Sequence, residues 1–145
     1  MSESSESTNR RLLRARDLMD RTYAAPLDVP RLAQTAVMSP AHFAREFRRV
    51  FGETPHRYLQ RRRIERAMFL LRTGDRPVSE ICHAVGWSSI GTFGRVFRDV
   101  VGCSPSAFRE RSRGREQVGP TSFAMRWQRP VSSSSFGEAL DGAGS

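Results

Sequence analysis

The chain's most suggestive chemistry lies in two arginines that occupy matching places about fifty residues apart. Phe43, Arg45, Phe47, Arg48, Gly52 and Pro55 recur in the same order and spacing as Phe93, Arg95, Phe97, Arg98, Gly102 and Pro105. On a helical wheel of about 100° per residue, Arg45 stands opposite Phe43, Phe47, Val50 and Phe51, flanked by Ala41, His42, Arg48 and Arg49. Arg95 stands opposite Phe93, Val96, Phe97, Val100 and Val101, flanked by Gly91, Thr92 and Arg98. A guanidinium is a planar fork that pairs with guanine O6 and N7, and a first turn of small residues lets a helix reach the floor of the DNA major groove. One such helix alone reads more readily as an ordinary solvated face. Recurrence of the arginine at one phase, each time after a short helix and a turn, favours two basic probes.

Other chemistry finds little support. His42, His56 and His83 fall on separate segments, and neither a Ser-His-Asp set nor a Gly-rich phosphate loop is present, so no enzyme is expected. Cys82, His83 and Cys103 lack the ligand-pair spacing of a zinc site, and Cys82 reads as a small core residue; no metal or cofactor is expected. The run Arg61-Arg62-Arg63 supports the main alternative, a basic helical interaction or RNA-binding module without sequence-specific readout. A run on a helix must point several ways, so at least one of these turns toward the core or a carboxylate such as Glu65, and Arg63 fits that role. Phe123 to Trp127 forms an aromatic fragment in a polar tail, where such fragments are more often incidental than partner-binding.

A length of 145 residues suits one domain or two very small lobes. The formal net charge is +9, and it is concentrated: residues 10–115 carry 22 basic and 10 acidic side chains, a surplus of 12. That surplus suits a polyanion. All 24 basic residues are arginine, which a GC-rich coding bias would also produce, so the choice adds little beyond charge. Two cysteines and no leader-like apolar run predict reduced thiols in a soluble, cytoplasmic protein with no membrane span.

The elements that must position the arginines can be read from caps and periodicity. Residues 1–9 are polar and predicted to be disordered; an amphipathic helix is expected from Arg10 to before Pro26. Asp28 caps a short helix, Ser39-Pro40 opens the first basic helix, and Gly52 closes it. Thr54-Pro55 starts a longer helix over about 55–73, roughly 27 Å at ~1.5 Å per residue and able to serve as a strut. The second lobe repeats the first over 77–102, and Ser104-Pro105 opens a closing helix to about residue 112. The expected fold is all-α, about seven helices forming two helix-turn-helix units on a long linker helix, within a domain spanning 10–113. Glycine, serine and proline predict a disordered tail over 114–145.

The stretch from about Leu12 to Arg111 resembles the DNA-binding domain of the AraC/XylS family of bacterial transcription regulators. The resemblance rests on Leu32-Ala33, Met38-Ser39, Arg45, Thr54-Pro55, Tyr58-Leu59, Arg63-Ile64, Leu70-Leu71, Ile81, Val85-Gly86, Ser88-Ser89, Thr92-Phe93, Arg95, Ser104-Pro105 and Phe108-Arg109. The longer second turn, between Ile81 and Phe93, is also the family's. Cys82, Trp87, Gly91 and Gly94 depart from its usual residues.

The resemblance implies that Ala41, His42, Ala44 and Arg45, and again Ser89, Gly91, Thr92 and Arg95, face the bases. The helix starts at Thr54, His56, Ser104 and Ser106 are expected at phosphates, where free N–H groups attract anions. Arg48, Arg49, Arg57 and Arg98 are further phosphate candidates or simply solubilising charges. The implied partner is double-stranded DNA, bound by a monomer at an asymmetric site with half-sites about 34 Å apart. Contact with RNA polymerase as an activator is the family's commoner mode. No small-molecule effector is evident, as in the family's short single-domain members. With Arg45, Arg48 and Arg49 on one probe, and glycines and Asp99 on the other, the first unit is expected to contribute more binding energy.

Overall fold

Asp28, Ser39, Thr54, Ser89 and Ser104 each stand one residue ahead of a helix, and each accepts a backbone N–H from three residues on. The donors are Arg31 (2.9 Å), His42 (3.2 Å), Arg57 (3.1 Å), Thr92 (3.2 Å) and Ala107 (3.1 Å). Each cap satisfies one of the orphan donors of a helix's first turn. A computed structural model of the chain describes residues 3–116. Within them lie α1 (Glu3–Arg21), α2 (Val29–Thr35), α3 (Pro40–Phe51), α4 (Pro55–Thr73), α5 (Val78–Ala84), α6 (Ile90–Val101) and α7 (Pro105–Glu116), with no strand among the described residues. The all-α architecture is the one expected.

Two boundaries differ from the sequence reading. The first helix begins at Glu3, so residues from Glu3 to Asn9 are helical rather than disordered. Leu12, Ala15 and Met19 anchor α1 in the core, and a helix so nucleated extends readily because each further residue fixed gains one hydrogen bond. Near its N-terminus, Glu6 reaches Arg10 at 4.0 Å one turn on. The last helix runs to Glu116 rather than to about 112. Arg109 Nε donates to the Leu71 carbonyl (3.1 Å) and Arg113 to the Gly74 carbonyl (3.0 Å) and to Asp75, so α7 supplies donors where α4 runs out of them. The remaining tail, with Phe123 to Trp127, lies outside the described residues.

The chain divides into two units between Gln60 and Arg61, inside α4. In the first, the apolar stripes of α1, α2 and α3 meet the start of α4 around Phe47, whose ring lies 4.6 Å from Phe51 and 5.6 Å from Tyr58. Tyr58 is held by its own hydroxyl, which donates to Asp20 at 2.7 Å. In the second, Phe97 is the hub: it sits 5.8 Å from Phe93 and 5.7 Å from Phe108, and Trp87 packs on Phe93 at 5.3 Å. Tilted and edge-on aromatic contacts of this kind add to the area each ring buries.

Both short helices end in the same hydrogen-bonded turn. Met38 N–H reaches back to the Ala33 carbonyl and Val37 N–H to Gln34; Trp87 reaches Cys82 and Gly86 reaches His83. This Schellman arrangement needs a left-handed residue just past the cap. Gly86 supplies it freely at φ 109°, whereas Val37 adopts φ 56° with a β-branched side chain. The second turn then carries one extra residue, Ser88, before its cap at Ser89, which accounts for the longer spacing from Ile81 to Phe93.

Candidate nucleic-acid interface

α3 and α6 owe their orientation to their aromatic arcs. Phe43, Phe47, Val50 and Phe51 are buried on α3, as are Phe93, Phe97, Val100 and Val101 on α6. Burial of that stripe turns the opposite face outward: Ala41, Arg45, Arg48 and Arg49 are exposed on α3, and Gly91, Arg95, Arg98 and Asp99 on α6. His42 and Ala44, like Thr92 and Gly94, sit at the half-buried flank. Position by position the two helices share one pattern of burial, with a single exception at Glu46, half-buried, against Val96, buried.

Each residue expected at the bases therefore lies on or beside the outward face of its own helix. Ser89 has a second duty, since its hydroxyl oxygen accepts the Thr92 N–H as the cap of α6; its O–H proton stays available to an acceptor. Gly91 and Gly94 are not dictated by packing. A Cβ at Gly91 would meet only Ser89 Oγ, at 3.8 Å, and one at Gly94 would meet nothing within 4 Å. Those glycines cost α6 about 0.5 to 1 kcal/mol each relative to alanine, and in return they keep its first turns slim.

The five arginines on these faces are not equivalent. Among the described residues Arg45, Arg48, Arg95 and Arg98 form no ion pair. Arg49 is engaged: its Nε (3.0 Å) and Nη2 (2.7 Å) both donate to Glu46 Oε1. That hydrogen bond is the main cause holding the Glu46 carboxyl below its ordinary pKa, against the opposing effect of burial, and the charges of Arg49, His42 and Arg45 act in the same direction as the bond. The i, i+3 spacing of Glu46 and Arg49 was available in the sequence as a signal for this pair.

The helix starts expected at phosphates are also outward. Thr54, His56 and Arg57 at α4, and Ser106 at α7, are exposed, while Ser104 is half-buried. Arg57 also comes within 4.0 Å of Glu53. The arginine run turns inward at more than one position. Arg61 is the nearly buried one, at 4% exposure, and both Arg61 (2.8 Å) and Arg62 (2.7 Å) bond Glu65. Arg63 is half-buried over the ring of Trp87, 5.8 Å from its centroid, and burial lowers its pKa. The expected turn of part of the run toward the core or a carboxylate is thus shared by all three, Arg61 and Arg62 at Glu65 and Arg63 at Trp87, because residues three and four apart on a helix are neighbours.

Cys82 and Cys103 are buried, and burial raises the Cys82 thiol's pKa. His83 places Nδ1 3.0 Å from the Trp87 carbonyl, in the turn of the second unit. No described helix is long and apolar enough to cross a membrane.

Comparison with known proteins agrees with this geometry. Residues 32–111 match a family described as a helix-turn-helix domain. Over 89 residues the chain is 37% identical to the MmsAB operon regulatory protein of Pseudomonas aeruginosa, an alignment taking in 61% of this chain and 29% of that protein. It is 39% identical over 85 residues to the RCS-specific HTH-type transcriptional activator RclR of Escherichia coli, covering 59% and 30% of the two chains. The solved DNA-binding domain of the global transcriptional factor AdpA, in complex with a target DNA, superposes with a TM-score of 0.71 at 32% identity, covering 75% of this chain and 98% of that one. The chain spans less than a third of the length of the first two of these proteins.

Proposed function

The chain belongs to the AraC/XylS-type helix-turn-helix family, and on that premise we propose that it is a sequence-specific, double-stranded-DNA-binding transcription regulator. One observation carries the reading: an exposed arginine, with no ion pair among the described residues, stands at the same place on two capped helices whose opposite faces are buried. In this reading α3 and α6 each enter a major-groove segment. Arg45 and Arg95 make the bidentate base contacts, Ala41, His42, Ala44, Ser89, Gly91 and Thr92 shape the approach, and Arg48 and Arg98 meet the flanking phosphates. Thr54, His56, Arg57, Ser104 and Ser106 add phosphate contacts at two helix starts.

Because the two helices differ in sequence, the site is asymmetric and one copy of the chain suffices to read it. A cytoplasmic location on the nucleoid, and activation through contact with RNA polymerase, belong to the same proposal, which gives the chain no catalytic step. The competing reading, a sequence-blind basic or RNA-binding module built on Arg61 to Arg63, loses support because Arg61 and Arg62 are committed to Glu65.

Selection of bound duplexes from a random pool is expected to return an asymmetric bipartite site. On that site Arg45→Ala and Arg95→Ala should each cost about 1 to 3 kcal/mol and relax preference at different ends. Equal losses on the selected and on random duplexes, in a competition titration, would sink base readout.

A further inference from the structure

We infer that Glu46 is a positioning residue that holds Arg49 in a neutral pair on the surface of α3 and withholds it from phosphate, so restraining sequence-blind attachment to DNA. The inference rests on the duplex-binding reading and deepens it. Both donors of Arg49 that face the carboxylate are used, on one oxygen, at 3.0 and 2.7 Å. The glutamate side chain is 21% exposed and the arginine 58%, so the carboxylate sits tucked against the helix while the guanidinium closes over it at the rim of the candidate face. The hydrogen bonding from Arg49 holds the carboxyl below its ordinary pKa against the opposing effect of burial.

α6 shows what the position does without the pair. Val96 replaces Glu46 and is buried, and Asp99 replaces Arg49 and is exposed. With Arg49 neutralised, each helix is left with two uncommitted arginines at matching places, Arg45 and Arg48 against Arg95 and Arg98. Attraction to any duplex follows the number of phosphates neutralised, with about 0.9 counterion released for each. A guanidinium already satisfied by a carboxylate adds little to that count. Base readout through Arg45, on the same face, is untouched. The pair therefore lowers random binding more than specific binding.

The test measures affinity against salt on the selected duplex and on a random one, with thermal unfolding alongside, for the full chain carrying Glu46→Gln and Glu46→Gln/Arg49→Gln. Glu46→Gln should steepen the slope of log K against log salt by about 0.9, so that raising salt from about 50 to 200 mM costs it roughly threefold more affinity than the wild type. It should also tighten random-duplex binding more than specific binding. The double variant should return to the wild-type slope. An unchanged slope in Glu46→Gln would overturn the inference, whatever happened to the melting temperature. A steeper slope that survives in the double variant would overturn it too, because Glu46 would then act as a bare charge rather than through Arg49. A wild-type chain that binds no duplex at any salt would instead remove the function proposed above, and this inference with it.

Discussion

The two helix-turn-helix units of this chain reach one geometry with unequal means. The first caps its short helix with the Asp28 carboxylate, while the second has Pro77 at the same point and no side-chain cap. The first accepts a valine in the left-handed turn residue and ties its carbonyl to Arg11 Nη1 at 3.0 Å; the second uses a glycine there. The first probe helix starts with Pro40 and ends its exposed face on Arg49; the second starts with Ile90, half exposed, and ends on Asp99. What stays constant is the aromatic stripe and the arginine opposite it. Packing thus fixes where the arginine points, and the surrounding residues set how strongly each unit is built and charged.

The sharpest way to break the comparison is to remove its shared element. Phe47 and Phe97 are fully buried hubs of their units, so Phe47→Ala and Phe97→Ala should each cost about 3 to 5 kcal/mol in denaturant unfolding. A cost under about 1 kcal/mol for either would mean that its unit does not depend on the stripe, and that the two helices are alike in sequence only.

Exchanging the turn residues probes an unshared element. A non-glycine residue in the left-handed region costs about 1 to 2 kcal/mol, so Gly86→Val should destabilise by about that much. Val37→Gly relieves the same strain but frees the unfolded chain by about 0.5 to 1 kcal/mol, leaving a net gain on the order of 0.5 kcal/mol. Loss of stability in Val37→Gly, read from the unfolding midpoint, would show that the exposed valine side chain stabilises the turn through contacts that outweigh its strain.

These contrasts divide what was legible in the sequence from what was not. The caps at Asp28, Ser39, Thr54 and Ser104 and the left-handed glycines Gly52 and Gly102 were readable because each depends on a residue type and a local backbone bond. The aromatic arcs were readable because helical periodicity alone decides which residues share a face. The left-handed Val37 was hidden, since no propensity favours valine there and only the tertiary turn imposes it. The helical start at Glu3 was hidden because serine-rich composition outweighed the anchoring of Leu12, Ala15 and Met19 further along. That part of the run Arg61 to Arg63 must turn inward was legible from helical geometry, whereas which guanidinium is most buried was not, because burial within a charged run depends on neighbours distant in sequence.

The expectation that the first unit binds more strongly rests on three arginines set against glycines and Asp99, and the Glu46 pair takes one arginine out of that contrast. Arg49 ceases to be a surplus over the second unit, which leaves Asp99, exposed on α6, as the remaining charge difference between the two faces. The same pair makes the smallest of the predicted effects, visible in folding without any DNA. Since the folded carboxyl of Glu46 lies below its unfolded value, the pair's stabilisation is fully present above the unfolded value and fades as pH falls through the folded one. Both partners are partly solvated, so its worth at neutral pH is about 0.3 to 0.5 kcal/mol. Wild type should therefore exceed Glu46→Gln by that margin near pH 7, and the difference should shrink steadily on acidification. Unfolding midpoints of both proteins across the acid range measure it. A margin that persisted undiminished into strong acid would mean that glutamine disturbs packing at the half-buried position, and that charge has no part in the one place where α3 and α6 differ in burial.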